Sequence, residues 1–102
     1  MSRLEQLSEM LKEDPDDSFL NYALALEYGK AGDLRKAIDT IETMLKVHST
    51  YLGAYYQLGK YYEELKEDEK AASTYKKGIM LAQEQKNLKT LGELRTALDL
   101  LD

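Results

Sequence analysis

The chain has 102 residues, 43% of them hydrophobic and 32% charged, so it can form one domain with one core and is not a disordered chain. Its formal net charge of -5 disfavours non-specific binding to nucleic acid or to an anionic membrane, and we expect neither as a partner. Cysteine is absent, which excludes thiol catalysis and disulfides.

No apolar stretch approaches the ~20 residues that a membrane-spanning helix needs. The first residues contain neither the apolar run nor the cleavage site of a secretory signal. We therefore expect a cytoplasmic protein.

Apolar residues at helical spacing predict a first helix behind Ser2, where Glu5 three residues later completes a capping-box pattern. Pro15 ends this helix because it lacks a backbone N–H and disfavours helical backbone at the residue before it. Asp17 or Ser18 is the expected N-cap of the second helix.

Acidic residues are concentrated at this end of the chain. Residues 1–17 contain two basic and six acidic residues, a net charge of -4. We interpret them as a solvated face with capping acids. The alternative, a calcium site at Asp14, Asp16 and Asp17, lacks the glycine and the bidentate glutamate of an EF-hand loop.

The second helix ends at Gly32-Asp33, with the glycine in left-handed conformation and the aspartate as the next N-cap. A third helix follows, and residues 48–50 link it to a fourth helix over Tyr51 to Leu65. Residues 66–68 form the next turn before a fifth helix. Asn87 is the expected N-cap of a sixth. Links this short predict antiparallel helical hairpins.

An internal repeat of 34 residues relates residues 18–51 to residues 52–85. Six identities relate two successive predicted hairpins, and all of them except a lysine pair fall on small, apolar or aromatic positions. They are Tyr22 with Tyr56, Leu24 with Leu58, Tyr28 with Tyr62, Lys36 with Lys70, Ala37 with Ala71, and Thr40 with Thr74.

The repeat resembles the tetratricopeptide repeat family, in which an aromatic residue, a Leu-Gly or Leu-Ala pair, a tyrosine, an alanine, an aromatic and a small residue recur over 34 residues. The second repeat supplies Tyr55, Leu58, Gly59, Tyr62, Ala71, Tyr75 and Gly78, with Gln83 where the family has proline. The first repeat departs from the pattern at Asn21, Ile41, Met44 and Ser49.

The resemblance implies an all-α fold of about six helices, in which antiparallel hairpins stack as a short right-handed superhelix. We expect a single domain over residues 1–102. Its parts are an N-terminal half-repeat helix over 1–15, repeats over 18–51 and 52–85, and a C-terminal capping helix over 87–102.

Small residues in this pattern are expected where paired helices approach most closely. They are Ala25, Ala37, Gly59 and Ala71. Tyr28 and Tyr62 are expected to pack as wedges between neighbouring helices.

Catalytic motifs are absent from the sequence. His48 is the only histidine, and it lies in a predicted link, so we interpret it as an exposed loop residue. No second histidine or cysteine accompanies it to share a metal. We expect no enzyme, no cofactor and no metal site.

The chain contains eight tyrosines and one phenylalanine, and five of the tyrosines fall within residues 51–62. The resemblance implies a concave groove lined by the first helix of each repeat, where peptide ligands lie. Tyr55 and Tyr62 match packing positions of the family, which leaves the places of Tyr51, Tyr56 and Tyr61 open. Tyrosines are frequent binding anchors, so such a groove favours peptide capture. The alternative is that the tyrosines at groove positions pack against neighbouring helices with half-exposed rings. The groove residues that we predict from these positions are Tyr22, Leu26, Lys30, Tyr56, Lys60, Glu63, Lys89 and Glu93. The remaining matching positions are Gly29, Glu64, Thr96 and Ala97.

The predicted function is a non-enzymatic protein–protein interaction module that binds a peptide or helix of unidentified sequence in this groove. The alternative is a self-assembling, homodimeric scaffold that uses its terminal helix faces, including leucines 88, 91, 94, 98 and 101. We expect a monomer, because charged residues on the outer face of the last helix favour a cap over an interface.

Overall fold

The computed structural model describes residues 1–101; Asp102, the last residue of the predicted segment 87–102, lies outside them. Within the described residues all regular structure is α-helical, as the sequence predicts. The six helices are α1 (Arg3–Glu13), α2 (Ser18–Lys30), α3 (Leu34–Val47), α4 (Leu52–Glu64), α5 (Asp68–Glu84) and α6 (Leu88–Asp99). They form two compact units, the first over Met1–Ser49 and the second from Thr50 onward.

Four of the six helices begin at a side-chain cap. Ser2 and Glu5 form the predicted capping box at α1. Asp17, rather than Ser18, caps α2 by accepting a hydrogen bond of 2.8 Å from the backbone N–H of Leu20. Asp33 and Asn87 cap α3 and α6 as predicted. Each cap satisfies a backbone donor that the first turn leaves without an intrahelical partner.

Three helix ends pass through a left-handed residue, although only one of these residues is glycine. Gly32 has φ +84°, while Lys66 and Lys86 have φ +61° and +57°. After each of them the next backbone N–H returns to a carbonyl inside the helix, as in the 2.9 Å bonds from Asp33 to Tyr28 and from Glu67 to Tyr62. This six-to-one bond is the Schellman helix ending.

In the first unit, α1 and α3 each pack against α2. Ala25 and Ala37 are completely buried, as their predicted place in the α2–α3 hairpin requires. Leu7 is the fully buried residue of α1. His48 is half-buried rather than an exposed loop residue, and its Nε2 donates to the backbone oxygen of Asp16 at 2.5 Å. The ring therefore ties the end of α3 to the α1–α2 link.

In the second unit, α5 packs between α4 and α6. The ring of Tyr75 lies directly against Gly59, where a Cβ atom would fall 2.2 Å from the tyrosine Cε1. Gly78 lies against Tyr55 and Leu94, which would be 2.9 and 3.0 Å from such an atom. At both glycines, side chains of neighbouring helices occupy the space that a larger residue would need.

The 34-residue repeat extends to individual contacts. Lys36 Nζ lies 5.7 Å from the ring centre of Tyr28, and Lys70 Nζ lies 5.9 Å from that of Tyr62. The hydroxyl of Thr40 donates to the carbonyl of Lys36 at 2.7 Å. The equivalent bond from Thr74 to Lys70 is 2.8 Å long. Each unit thus repeats the same cation–π and side-chain bonds.

Candidate functional site: the α4–α6 groove

An open groove of about 420 Å³ lies between α4 and α6 in the second unit. We call it the α4–α6 groove. Four of the sequence-predicted site residues line it, two from each helix. Among the residues that the structure describes, the lining consists of Tyr56, Lys60, Lys89, Gly92, Glu93, Thr96, Ala97 and Leu100.

The α4 wall of the groove is a cation–π pair. Lys60 Nζ lies 5.3 Å from the ring centre of Tyr56, and the two residues are one helical turn apart. Only 36% of the Lys60 side chain is exposed. The ammonium group therefore covers part of the aromatic surface and does not extend freely into solvent.

Glu63 lies behind this wall and does not line the groove. Its Oε2 is 3.7 Å from Lys60 Nζ, and it accepts a hydrogen bond from the hydroxyl of Tyr75. The Tyr75 ring in turn lies 6.3 Å from the ring of Tyr56, tilted by 44°. Tyr56, Lys60, Glu63 and Tyr75 thus form one connected cluster, which we call the tyrosine–glutamate cluster.

Tyr75 supports the cluster from α5. Its side chain is completely buried and crosses Gly59, so its hydroxyl reaches Glu63 one turn further along α4. Burial, the bond to Glu63 and the nearby negative charge raise the pKa of Tyr75 far above its ordinary value. The folded protein therefore favours the protonated phenol, which donates its hydrogen bond to the carboxylate.

The α6 wall carries two opposite charges and a surface of small residues. Lys89 and Glu93 are four residues apart, and neither forms an ion pair with any residue in the described part of the chain. Gly92 has nothing within 4 Å of the position where a Cβ atom would lie, so the groove stays open above it. Leu100 is 76% exposed and adds an apolar end.

The other predicted site residues belong to α2 in the first unit. Tyr22 and Leu26 are half-buried, and Lys30 is exposed. Lys30 Nζ lies 3.3 Å from Glu27 in a surface ion pair. Successive spacings of four residues place the three predicted residues along one side of α2.

The tyrosines of α4 divide between packing and the groove. Tyr61 and Tyr62 are each 5% exposed and belong to the core. Tyr62 is buried as its expected wedge position requires, whereas the sequence left the place of Tyr61 open. Tyr55 is half-buried, and burial raises its pKa. Of this group only Tyr56 lines the groove.

Sequence reasoning did not identify two lining residues, Gly92 and Leu100, or the support from Tyr75. Gly92 and Leu100 continue the helical spacing of Lys89 and Thr96, so periodicity alone could have found them. No such signal existed for Tyr75, because its bond to Glu63 depends on how α5 packs across Gly59.

Residues 1–101 contain no grouping of three or more histidine or acidic side chains that could hold a metal ion. Among the same residues, no helix is both long enough and apolar enough to cross a membrane.

A family model described as tetratricopeptide repeat matches residues 52–85, which contain α4 and α5. Among curated proteins, none matches the chain at a significant level.

Several solved structures are similar to the chain. The solution structure of a tetratricopeptide repeat domain protein from Salinibacter ruber is 38% identical, with a TM-score of 0.82, and the match covers 87% of this chain and 90% of that one. A crystal structure of a Salinibacter ruber tetratricopeptide repeat domain protein gives 38% identity and a TM-score of 0.78, over 83% of this chain and 94% of that one. A protein from Bordetella parapertussis shares the fold at 24% identity, with a TM-score of 0.87 over 99% and 88% of the two chains.

Proposed function

Because the chain belongs to the tetratricopeptide repeat family, we propose that it binds a peptide segment or helix of another protein in the α4–α6 groove. The fold supports a protein–protein interaction module in general terms, and the family is typically non-enzymatic. The groove assignment goes further and rests on this chain's own residues. The related positions Tyr22, Leu26 and Lys30 on α2 remain a predicted binding face of the first unit.

The observation that carries the proposal is the groove itself. It combines an aromatic anchor, Tyr56, with an open surface at Gly92 and an exposed leucine, Leu100. Ordered aromatic and apolar residues bind with little loss of conformational entropy, and such anchors dominate the binding energy of interfaces. The groove walls are built on helices, which keeps these side chains in place before a ligand arrives.

The homodimer alternative has weaker support from the residues that it would use. Leu94 is completely buried and Leu91 is 9% exposed, so neither can form an interface without unfolding α6 from α5. Leu98 and Leu101 are half-buried. Leu88, at 78% exposure, is the accessible member of that set. Sedimentation at increasing protein concentration tests this alternative directly.

The test of the groove is a variant that fills it without disturbing the core. Gly92→Gln puts a side chain into the open space above α6, and glutamine is a better helix former than glycine. Gly53→Gln is the matched control, because Gly53 is also an exposed helical glycine with nothing within 4 Å, but it does not line the groove.

Peptides selected from a random displayed library on the wild-type protein provide the probe, and fluorescence anisotropy provides their affinities. We expect Gly92→Gln to lose binding while Gly53→Gln retains it, with both variants folded by circular dichroism. Selected peptides that bind both variants equally would contradict the groove assignment. A library that yields no specific peptide would contradict peptide capture.

A further inference from the structure

Glu63 occupies a position that family resemblance assigns to the groove, yet its carboxylate is used inside the fold. One oxygen accepts the hydrogen bond from Tyr75 and lies 3.7 Å from Lys60 Nζ. A carboxylate held in this way cannot turn to meet a ligand without leaving a buried phenol unpaired. Because Glu63 does not line the groove, we expect its effect on binding to act through Lys60, the lining residue that it contacts.

Lys60 carries the positive charge of the α4 wall, and two neighbouring residues already interact with its ammonium group. Glu63 compensates the charge, and the ring of Tyr56 faces the ammonium at 5.3 Å. On the α6 wall, Lys89 and Glu93 carry one charge of each sign. Within residues 1–101, the lining residues together with Glu63 therefore have no net charge.

We propose that the occupant of the α4–α6 groove is a neutral, apolar peptide segment of another protein, and that Glu63 is the positioning residue that sets this specificity. The inference rests on the proposed function and names the ligand class for the same groove. Acidic segments are disfavoured because Glu63 neutralises Lys60 and because the whole chain carries a net charge of -5. Tyr56 and Leu100 are the complementary apolar surface.

Glu63→Gln is the informative variant because glutamine keeps an oxygen acceptor for Tyr75 while removing the negative charge. It leaves Lys60 uncompensated on one wall, with Lys89 on the other. Glu64→Gln is the matched control. Glu64 is the next residue of α4, is exposed and does not line the groove, although it matches a groove position of the family. This change therefore removes the same formal charge and leaves the tyrosine–glutamate cluster intact.

The binding test uses one neutral peptide selected on the wild-type protein, together with derivatives that carry glutamate or glutamine at a single position. We expect Glu63→Gln to raise the preference for a glutamate derivative over its glutamine partner by about two- to fivefold relative to wild type. Glu64→Gln should keep the wild-type preference. Equal effects of the two variants, or a wild-type preference for acidic derivatives, would overturn the proposal.

A second measurement needs no peptide and separates the two proposals. We expect the Tyr56 ring current to shift the Lys60 side-chain protons upfield in the NMR spectrum, because Lys60 Nζ lies over the ring. We expect Glu63→Gln to move these protons toward ordinary lysine shifts and Glu64→Gln to leave them unchanged. If the Lys60 chemical shifts are unchanged in Glu63→Gln, the positioning role of Glu63 is contradicted, even if peptides bind. Loss of the upfield shift without any peptide binding would instead contradict the groove function alone.

Discussion

At the scale of single residues, the second unit differs from the first in how side-chain volume is divided between its paired helices, because α4 contributes a smaller residue and α5 a larger one. In the first unit, Ala25 lies in the hairpin that contains the buried residue Ile41. The equivalent positions in the second unit are Gly59 and Tyr75, so a larger ring accompanies a smaller partner. The ring cannot move aside, because it is completely buried and its hydroxyl is held by Glu63.

The close contact at Gly59 and the open space at Gly92 predict opposite effects of a glycine-to-alanine substitution on stability. Gly59→Ala would place a Cβ atom 2.2 Å from the Tyr75 ring, so we expect a loss of about 1–3 kcal/mol from overpacking. Gly92→Ala meets nothing within 4 Å and should stabilise α6 by up to about 1 kcal/mol. Urea unfolding of both variants measures the difference. Equal stabilities would contradict the close packing of Tyr75 on Gly59.

Part of this arrangement could be predicted from the sequence. The 34-residue spacing aligns Gly59 with Ala25 and predicts a small residue facing the paired helix, and the structure buries both. The hydrogen bond from Tyr75 to Glu63 could not be predicted, because a tyrosine at this position can also end at solvent. The outcome depends on a ring orientation that only the packed hairpin determines.

At the scale of helices, the sequence predicts starting points better than end points. Side-chain caps are recognisable residue types, and Ser2, Asp33 and Asn87 all cap as expected. Helix ends are harder to recognise when a lysine replaces the usual glycine, as at Lys66 and Lys86. The backbone there is set by the Schellman hydrogen bonds and by the packing of the next helix, both of which override local preference.

A lysine in left-handed conformation costs free energy that glycine does not, because its Cβ atom crowds the following carbonyl. We therefore expect Lys66→Gly to stabilise the protein by about 0.5–1 kcal/mol. Lys76→Gly, at an exposed position inside α5, should destabilise it by about 1 kcal/mol. Thermal unfolding of the two variants measures both changes in stability. A fall in melting temperature for Lys66→Gly would show that the lysine side chain contributes more than its backbone conformation costs.

At the scale of the whole molecule, the all-α architecture could be predicted because repeat, cap and spacing signals agree along the chain. It was harder to predict which residues of the candidate site line the groove and which support those residues. Sequence positions alone do not separate a residue that lines the groove, such as Lys60, from one that supports it, such as Glu63. Both lie on α4 within one turn, and only the position of Tyr75 distinguishes them.

Global stability should also respond to the buried phenol at alkaline pH. Tyr75 has an ordinary pKa of 10.0, and burial, the bond to Glu63 and nearby charge raise its pKa in the folded protein. Above about pH 10 the unfolded chain therefore loses a proton that the folded chain keeps. The stability contributed by Tyr75 is fully present below that pH and falls by up to about 1.4 kcal/mol for each further pH unit.

Comparison with Tyr75→Phe isolates this contribution from that of other groups that titrate in the same range. Near neutral pH the variant should be less stable by about 1 kcal/mol or more, since it loses the hydrogen bond to Glu63. Because phenylalanine does not titrate, the gap between variant and wild type should narrow as the pH rises above about 10. Urea unfolding across this range gives both curves. Parallel curves would mean that Tyr75 titrates in the folded protein as it does in the unfolded chain, and that its hydroxyl is not held by Glu63 inside the hairpin.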